Sequence, residues 1–326
     1  MPRKNTFRPV LNFLAVALLL VGAQPAQARA PETVRFAGPS GEMIEAAVWS
    51  PAAPERGPSP LVVISHGNSG SALGHQDTAE ALADAGFVVA ALTHPGDNFR
   101  DMSRSLALTD RPPQVSALIS YMTGDWPGTA KVDESRIGAF GFSAGGFTVA
   151  ALAGGEADAQ KIVDHCSAHP EFFVCTIIAA QGGLDLKGWQ ASARDPRITA
   201  AVMAAPGFGF AFSDESVRAI AIPVQLWQAG EDQILPSPWH VEPFRDRLPG
   251  DPDYQLVAGA LHHDFLVPCA AEMRMMVPEL CQSRPGFDRA AFKQTFNREV
   301  AAFFVRELRP SSDTRGRLGQ AQQQTY

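Results

Sequence analysis

The stretch "RIGAFGFSAGG", residues 136–146, runs from a charged residue through an apolar segment into a cluster of small residues around Ser143. This order predicts a buried strand, a sharp turn and a helix rich in small residues. Gly141 and Gly145 have no Cβ atoms to collide where the chain reverses, so Ser143 takes the strained apex of the turn. A hydroxyl presented in this way is suited to nucleophilic attack.

The rest of the chain alternates between apolar, β-branched segments and segments with helical spacing. The predicted strands are Ile44–Trp49, Leu61–Ser65, Phe87–Thr93, Ile137–Phe142, Ile198–Ala204, Pro223–Gln228 and Tyr254–Val257. The predicted helices are Leu73–Ala85, Gln114–Met122, Ala144–Leu152, Pro238–Leu248 and Phe287–Leu308. The alternation predicts one α/β domain with a doubly wound, mostly parallel sheet. Residues 155–197 interrupt it and predict an insertion over the C-terminal edge of that sheet.

The first 28 residues have the three parts of a secretory signal: basic residues, an apolar run from Val10 to Val21, and Ala26-Gln27-Ala28 before the cleavage point. The alternative, a membrane anchor, is disfavoured because the run is well short of the ~20 residues that span a bilayer. We therefore expect a signal peptide at 1–28, one folded domain at 29–308 and a disordered tail at 309–326. The mature protein is expected to be periplasmic or secreted, without stable membrane insertion.

Charge and cysteine content narrow the class of protein. The whole chain has a net charge of −7, and removal of Arg3, Lys4 and Arg8 with the leader makes it −10, which disfavours nucleic acid as a partner. An even number of cysteines in an exported protein favours disulfides, which we expect to link sequence neighbours, although other pairings remain open. The expected pairs are Cys166 with Cys175 and Cys269 with Cys281.

A second motif, "VVISHGNSG" at 62–70, ends a predicted buried strand with a turn. Acyl transfer needs at least two hydrogen-bond donors directed at the developing oxyanion. We assign these donors to the backbone N–H groups of Asn68 and Ala144, because Ala144 opens the helix after the nucleophile. His66 is expected to have a structural role.

Two later loops supply candidates for the acid and the base. "GEDQILP", 230–236, follows a strand and contains Asp232, the expected acid, with Glu231 and Asp214 as alternatives. "GALHHDFL", 259–266, contains the expected base, His262, with His263 as the alternative. The order Ser, Asp, His along the chain is that of α/β-hydrolases.

The remaining histidines carry less information. His165, Cys166 and His169 have a spacing compatible with metal ligands, but a disulfide is the preferred fate of Cys166 in an exported protein. The sequence has no metalloprotease, phosphate-loop or dinucleotide-binding motif. We expect neither a metal nor a cofactor.

The motifs "SHGNSG", "ALTHPGDN", "RIGAFGFSAGG", "GEDQILP" and "LHHDFL" together resemble exported bacterial α/β-hydrolases of the dienelactone-hydrolase-like or platelet-activating-factor-acetylhydrolase-like type. The resemblance covers about residues 32–308 and implies a serine esterase that uses the triad and oxyanion donors named above. Dienelactone hydrolases proper have a cysteine nucleophile, so Ser143 argues against their particular substrate.

The expected reaction is hydrolysis of a small-molecule carboxylic ester through an acyl-serine intermediate. Residues 155–197 and three phenylalanines, Phe208, Phe210 and Phe212, are expected to line an apolar pocket for the acyl or alcohol group, unless they belong to the ordinary core. Two alternatives are a peptidase of the same fold that acts on short peptides, and a catalytically inactive protein that keeps the pocket for ligand binding.

Overall fold

The structure is a computed structural model that describes residues 30–51, 57–128, 132–184, 186, 189 and 193–308. The expected signal peptide at 1–28 and the expected tail at 309–326 lie outside the described residues. No helix among the described residues is long and apolar enough to cross a membrane.

Among the described residues, eight strands form one sheet. In chain order they are β1 Glu32–Ala37, β2 Met43–Trp49, β3 Ser59–Ser65, β4 Val88–Thr93, β5 Val132–Phe142, β6 Ile198–Ala204, β7 Val224–Ala229 and β8 Asp253–Val257. Their spatial order is β1-β2-β4-β3-β5-β6-β7-β8. The pairs β1–β2 and β2–β4 are antiparallel and the other five are parallel, so the sheet is mostly parallel, as predicted.

Helices cover both faces of the sheet. They are α1 Gln76–Asp84, α2 Arg111–Gly124, α3 Ala144–Ala153, α4 Ala159–Ala168, α5 Phe173–Ala180, α6 Asp214–Arg218, α7 Glu242–Arg245, α8 Ala271–Met276, α9 Pro278–Cys281 and α10 Arg289–Leu308. Two apolar clusters separate the layers: α2 and α3 pack in one, and α1 and α10 pack in the other. Alternate residues of β3 serve the two clusters, Val63 the first and Val62 the second. Burial on both faces explains why the centre of this strand, 61–64, is entirely apolar.

One predicted helix was wrong and one strand was not predicted. The helix predicted over Pro238–Leu248 is only one turn, α7, because Pro243 and the loop contacts of Trp239 and His240 take up the rest of the segment. The edge strand β1 was not predicted, because its apolar residues, Val34 and Phe36, are too few to distinguish it from a polar loop. The described part of 155–197 lies between α3 and β6 and contains α4 and α5.

The parallel strands bring distant loops together. β3, β4, β5, β7 and β8 all run in the same direction, so the segments that follow them emerge at one edge of the sheet. These segments are the ones that contain the residues singled out by sequence: 66–70, 94–98, 143–145, 230–236 and 259–266. Ligand sites of open α/β sheets form at this edge.

Candidate active site

Ser143 occupies a strained turn between β5 and α3. Its backbone has φ 56° and ψ −118°, a conformation that costs a residue with a Cβ atom about 1–3 kcal/mol. The neighbouring glycines allow the close approach: a Cβ atom on Gly141 would lie 2.0 Å from the carbonyl oxygen of Gly145. A Cβ atom on Gly145 would lie 1.9 Å from the carbonyl oxygen of Ser65. The turn therefore requires glycine at positions 141 and 145, two residues before and two residues after the serine.

Three side chains predicted from different loops form a hydrogen-bonded row. Nε2 of His262 lies 2.9 Å from Oγ of Ser143, and Nδ1 of His262 lies 2.7 Å from Oδ2 of Asp232. The side chains of His262 and Asp232 are 2% and 5% exposed, so water is largely excluded from the pair. The row has the geometry in which an imidazole takes a proton from a hydroxyl while a carboxylate fixes its tautomer.

Asp232 is held as an anion. Its Oδ1 atom accepts hydrogen bonds from the backbone N–H groups of Ile234, at 3.0 Å, and Leu235, at 2.7 Å. Burial acts to raise the pKa of Asp232, but the adjacent imidazole of His262 and these N–H groups bring the net pKa below its ordinary value. The carboxylate is therefore available to stabilise an imidazolium at neutral pH.

The alternative acids and base lie elsewhere. Glu231 is exposed and pairs with Arg284 at 2.7 Å, while Asp214 begins α6 and contacts Arg218 and Arg247. His263 packs against His262 with ring centroids 5.5 Å apart, and Ser143 is within hydrogen-bonding distance of His262 and not of its neighbour. Burial lowers the pKa of His263 to about 4.

The two residues expected to supply oxyanion donors lie beside the serine. Asn68, Ser143 and Ala144 line one cavity. Ala144 is the first residue of α3, so its N–H has no acceptor within the helix. The side-chain amide of Asn68 is already engaged, since its Nδ2 atom donates to Asp97 Oδ1 at 2.9 Å and to Ser105 O at 3.1 Å. The donor assigned to this position is thus the backbone N–H.

His66 has the structural contacts expected of it. Its Nδ1–H donates to the carbonyl of Gly67 at 2.6 Å, and its Nε2 accepts from the backbone N–H of His94 at 3.0 Å. Burial, with the nearby charge of Arg111 as a second cause, lowers the pKa of His66 to about 3. The ring is therefore neutral and fixed in one tautomer.

Comparisons with known proteins point to the fold. No family model and no curated protein match the chain. Among solved structures, a puromycin-hydrolyzing peptidase of Mycobacterium tuberculosis matches with a TM-score of 0.55 at 16% identity, over 85% of this chain and 39% of that one. An acylaminoacyl peptidase of Pyrococcus horikoshii matches with a TM-score of 0.55 at 14% identity, over 87% of this chain and 42% of that one. The protein has the α/β-hydrolase fold. The chain spans about two fifths of the length of either neighbour.

Within this α/β-hydrolase fold, the insertion covers the serine. A cavity that opens to solvent has Ser143 in its wall. Among the described residues that line the cavity, none has a charged side chain. Six of them come from the insertion: Ile162, Phe173, Val174, Ile177, Ile178 and Leu184.

The three phenylalanines expected to line a pocket or to belong to the core lie in different places. Phe208 lines the cavity. Phe210 instead stacks on His165, with ring centroids 3.9 Å apart, and Phe212 is buried beside Phe147. Residues of α5 were not named individually from sequence, although the apolar run "FVCTII" at 173–178 was a signal for a helix covering an apolar site.

Both disulfides expected from the sequence are present, linking Cys166 to Cys175 and Cys269 to Cys281. The first joins α4 to α5, the two helices that cover the cavity. Because Cys166 is bonded, it is not available as a thiolate ligand, and His165 stacks on an aromatic ring. No group of three metal-ligating side chains is found in the described ranges.

Proposed function

We propose that the protein is a serine hydrolase that cleaves carboxylic esters through an acyl-serine intermediate. The observation that carries the proposal is the row Ser143, His262 and Asp232, with contacts of 2.9 and 2.7 Å. Serine is a weak nucleophile unless a base is within hydrogen-bonding reach, and the strained turn places its Oγ atom against such a base.

In the proposed mechanism, Nε2 of His262 takes the proton of Ser143 while Oγ attacks the ester carbonyl. The negative charge that develops on the carbonyl oxygen is stabilised by the N–H groups of Asn68 and Ala144, and Asp232 stabilises the imidazolium. The imidazolium then returns the proton to the alcohol as it leaves. Water, deprotonated by His262, then attacks the acyl-serine; the acyl–Oγ bond breaks, the imidazolium returns the proton to Oγ of Ser143, and the carboxylic acid is released.

The cavity supports an ester with an apolar acyl group as the substrate. Its wall beside Ser143 is formed by aliphatic and aromatic side chains of α4, α5 and the loop at 207–208. An apolar chain buried there gains about 25 cal/mol for each Å² removed from water, whereas a charged group would be desolvated without a partner. Catalysis by the triad requires neither a metal nor a cofactor.

Peptide hydrolysis is the second candidate, because both structural neighbours are named as peptidases. The uncharged cavity disfavours it, since a short peptide has charged termini that need partners. Comparison of kcat/KM on matched ester and amide substrates separates the two activities. A higher value on the amide would assign the protein to the peptidases.

We further propose that the protein is exported to the periplasm or the medium. The two disulfides support this location, because such bonds persist in oxidising compartments. The dienelactone-hydrolase-like or platelet-activating-factor-acetylhydrolase-like subtype, and the division into leader, domain and tail, are proposals that rest on the sequence motifs. N-terminal sequencing of protein recovered from each cell fraction tests export and cleavage after Ala28 together.

The test of the proposed function is turnover of p-nitrophenyl esters by wild type and Ser143→Ala. Loss of the nucleophile is expected to reduce kcat by at least about 10³-fold. Turnover by Ser143→Ala within about tenfold of wild type would show that another group performs the chemistry.

A further inference from the structure

One motif of the sequence has no role in the mechanism above. The segment "THPGDN", 93–98, begins at the last residue of β4 and lies at the same edge of the sheet as the triad. Its Asp97 is 3% exposed and pairs with Arg111, the first residue of α2. The side chain of Arg111 is 1% exposed. A fully buried ion pair is costly to desolvate, and this cost is offset only where further hydrogen bonds engage both partners. The other contacts of Asp97 and Arg111 therefore indicate the structural role of the pair.

Asp97 holds the loop that contains Asn68. Its Oδ1 atom accepts hydrogen bonds from Asn68 Nδ2 and from the backbone N–H of Ser69, both at 2.9 Å. Ser69 has φ 57°, a left-handed conformation that is unfavourable for a residue with a Cβ atom. The carboxylate thus stabilises a strained backbone next to the proposed oxyanion donor.

Arg111 contacts both segments that supply the proposed donors. Its Nη2 atom donates to the carbonyl of His66, two residues before Asn68, and its Nη1 atom donates to Asp97. On the other side, its Nε atom donates to Oγ1 of Thr148 at 3.2 Å, and that hydroxyl donates to the carbonyl of Ala144 at 2.9 Å. One planar guanidinium therefore connects the Asn68 loop to the first turn of α3.

We propose that Arg111, together with Asp97, is a positioning residue that sets the spacing between the backbone N–H groups of Asn68 and Ala144. The inference rests on the proposed function, since it assumes that these groups bind an oxyanion. Neither side chain is placed in contact with the substrate: Arg111 and Asp97 do not line the cavity that contains Ser143. Their effect is exerted through the backbone atoms that they hold.

The geometry makes lysine a poor substitute at position 111. A guanidinium offers several N–H donors in a fixed plane, and here three of its nitrogens bond to three different segments. An ammonium group keeps the charge opposite Asp97 but is a single point that cannot serve the three acceptors together. Arg111→Lys thus preserves the ion pair while it loosens the link between the two donor segments.

The experiment measures kcat and KM for p-nitrophenyl butyrate, and the inhibition constant of a trifluoromethyl ketone, whose adduct with serine carries an oxyanion. For Arg111→Lys, kcat is expected to fall about tenfold to hundredfold with KM changed by less than about threefold. The inhibition constant of the ketone is expected to rise by a similar factor, because the adduct needs the same donors. Thr148→Val, which removes only one hydroxyl, tests the link to α3 if Arg111→Lys does not fold; we expect its kcat to fall about threefold to tenfold.

A matched control is available in a second buried carboxylate. Asp195 is as buried as Asp97, at 4% side-chain exposure, and pairs with Arg197 before β6, at the opposite end of the strands. Asp195→Asn is expected to lower stability but to leave kcat within about twofold of wild type. Unchanged kcat in folded Arg111→Lys, or an equal loss of kcat in Asp195→Asn, would overturn the positioning role. Failure of the proposed function would be seen in a different variant, because ester turnover would then persist in Ser143→Ala.

Discussion

Nε2 of His262 and Oγ of Ser143 lie 2.9 Å apart, although 119 positions separate the two residues in the chain. The contact exists because β5 and β8 are parallel and end at the same edge of the sheet, so that the turn after one meets the loop after the other. Phe142, next to the serine, packs against the imidazole with ring centroids 4.8 Å apart and fixes its plane. The site is thus assembled by the sheet and held by local packing.

Replacement of the acid tests the orientation of the base. Asp232→Asn removes the charge that stabilises the imidazolium and permits the wrong tautomer of His262, so kcat is expected to fall by about 10³–10⁴-fold. Glu231→Gln is the matched control, because that exposed side chain pairs with Arg284 and not with the triad. Steady-state kinetics on one ester check both variants. Equal losses in the two would mean that the acid is misassigned.

Most of the fold could be predicted from the sequence because the central strands are buried on both faces. Such strands appear as uninterrupted apolar runs, as in "LVVIS" before His66. Strand β1 lies at the sheet edge and buries only Val34 and Phe36, so its apolar pattern is weak. The helix predicted over 238–248 was wrong because apolar spacing does not reveal loop hydrogen bonds such as that from the N–H of Phe208 to His240.

Ser143, Asp232 and His262 could be named as candidates from sequence because each follows a strand in a recognisable motif. Glu231 and His263 stayed open as alternatives, because adjacent residues point in different directions that only coordinates define. The buried pair of Asp97 and Arg111 was also missed. Asp97 lies in the quoted segment "ALTHPGDN", but nothing in the spacing indicates that its partner begins α2.

The turn at Ser143 provides a test of backbone packing. In Gly145→Ala the new Cβ atom would lie 1.9 Å from the carbonyl oxygen of Ser65, so the start of α3 must move away from β3. We expect the free energy of unfolding to fall by at least about 2–3 kcal/mol and the turnover of p-nitrophenyl esters to be lost. Gly124→Ala is the control: outside its own helix turn, no atom of the described residues lies within 4 Å of the added Cβ, and stability should rise by about 0.4–1 kcal/mol. Urea denaturation of both variants measures these changes. A Gly145→Ala variant as stable as wild type would contradict the predicted collision.

The covering helices give a prediction about acyl chain length. Ile178, on α5, is 8% exposed and lines the cavity. In Ile178→Phe, the larger ring fills part of the cavity, so kcat/KM for p-nitrophenyl octanoate should fall about tenfold or more while the acetate remains within about twofold. A graded series of esters measures this. An equal change for acetate and octanoate would mean that acyl chains bind elsewhere.

The two disulfides are expected to differ in their effect on activity. Each closes a short loop, with separations of 9 and 12 residues, and its removal by a pair of Cys→Ser substitutions should cost about 2–3 kcal/mol of stability. Cys166–Cys175 joins the helices that line the cavity, so only its loss should also raise KM for long-chain esters. Cys269–Cys281 is the matched control; it joins the chain just before α8 to the last residue of α9. Identical kinetic effects would contradict this assignment.

Buried neutral histidines predict destabilisation in acid. Burial is the largest cause that lowers the pKa of both His66 and His240 to about 3, from an ordinary 6.5. Below pH 6.5 the unfolded chain binds protons that the folded protein does not, so the free energy of unfolding falls as pH drops towards 3. His240→Asn, which keeps an acceptor for the N–H of Phe208, should flatten this dependence by up to about 1.4 kcal/mol per pH unit. Denaturation curves between pH 7 and about 4.5 measure it; an unchanged slope would mean that His240 is protonated in the folded state.

The most direct measurement is the site of covalent modification by a fluorophosphonate, which reacts only with a serine whose hydroxyl is activated by a base. Intact-mass analysis of wild-type protein should show one adduct, and peptide mapping should place it on Ser143, while His262→Gln should react slowly or not at all. Absence of an adduct from folded wild-type protein, or an adduct on a different serine, would contradict the proposal that Ser143 is the nucleophile of a serine hydrolase.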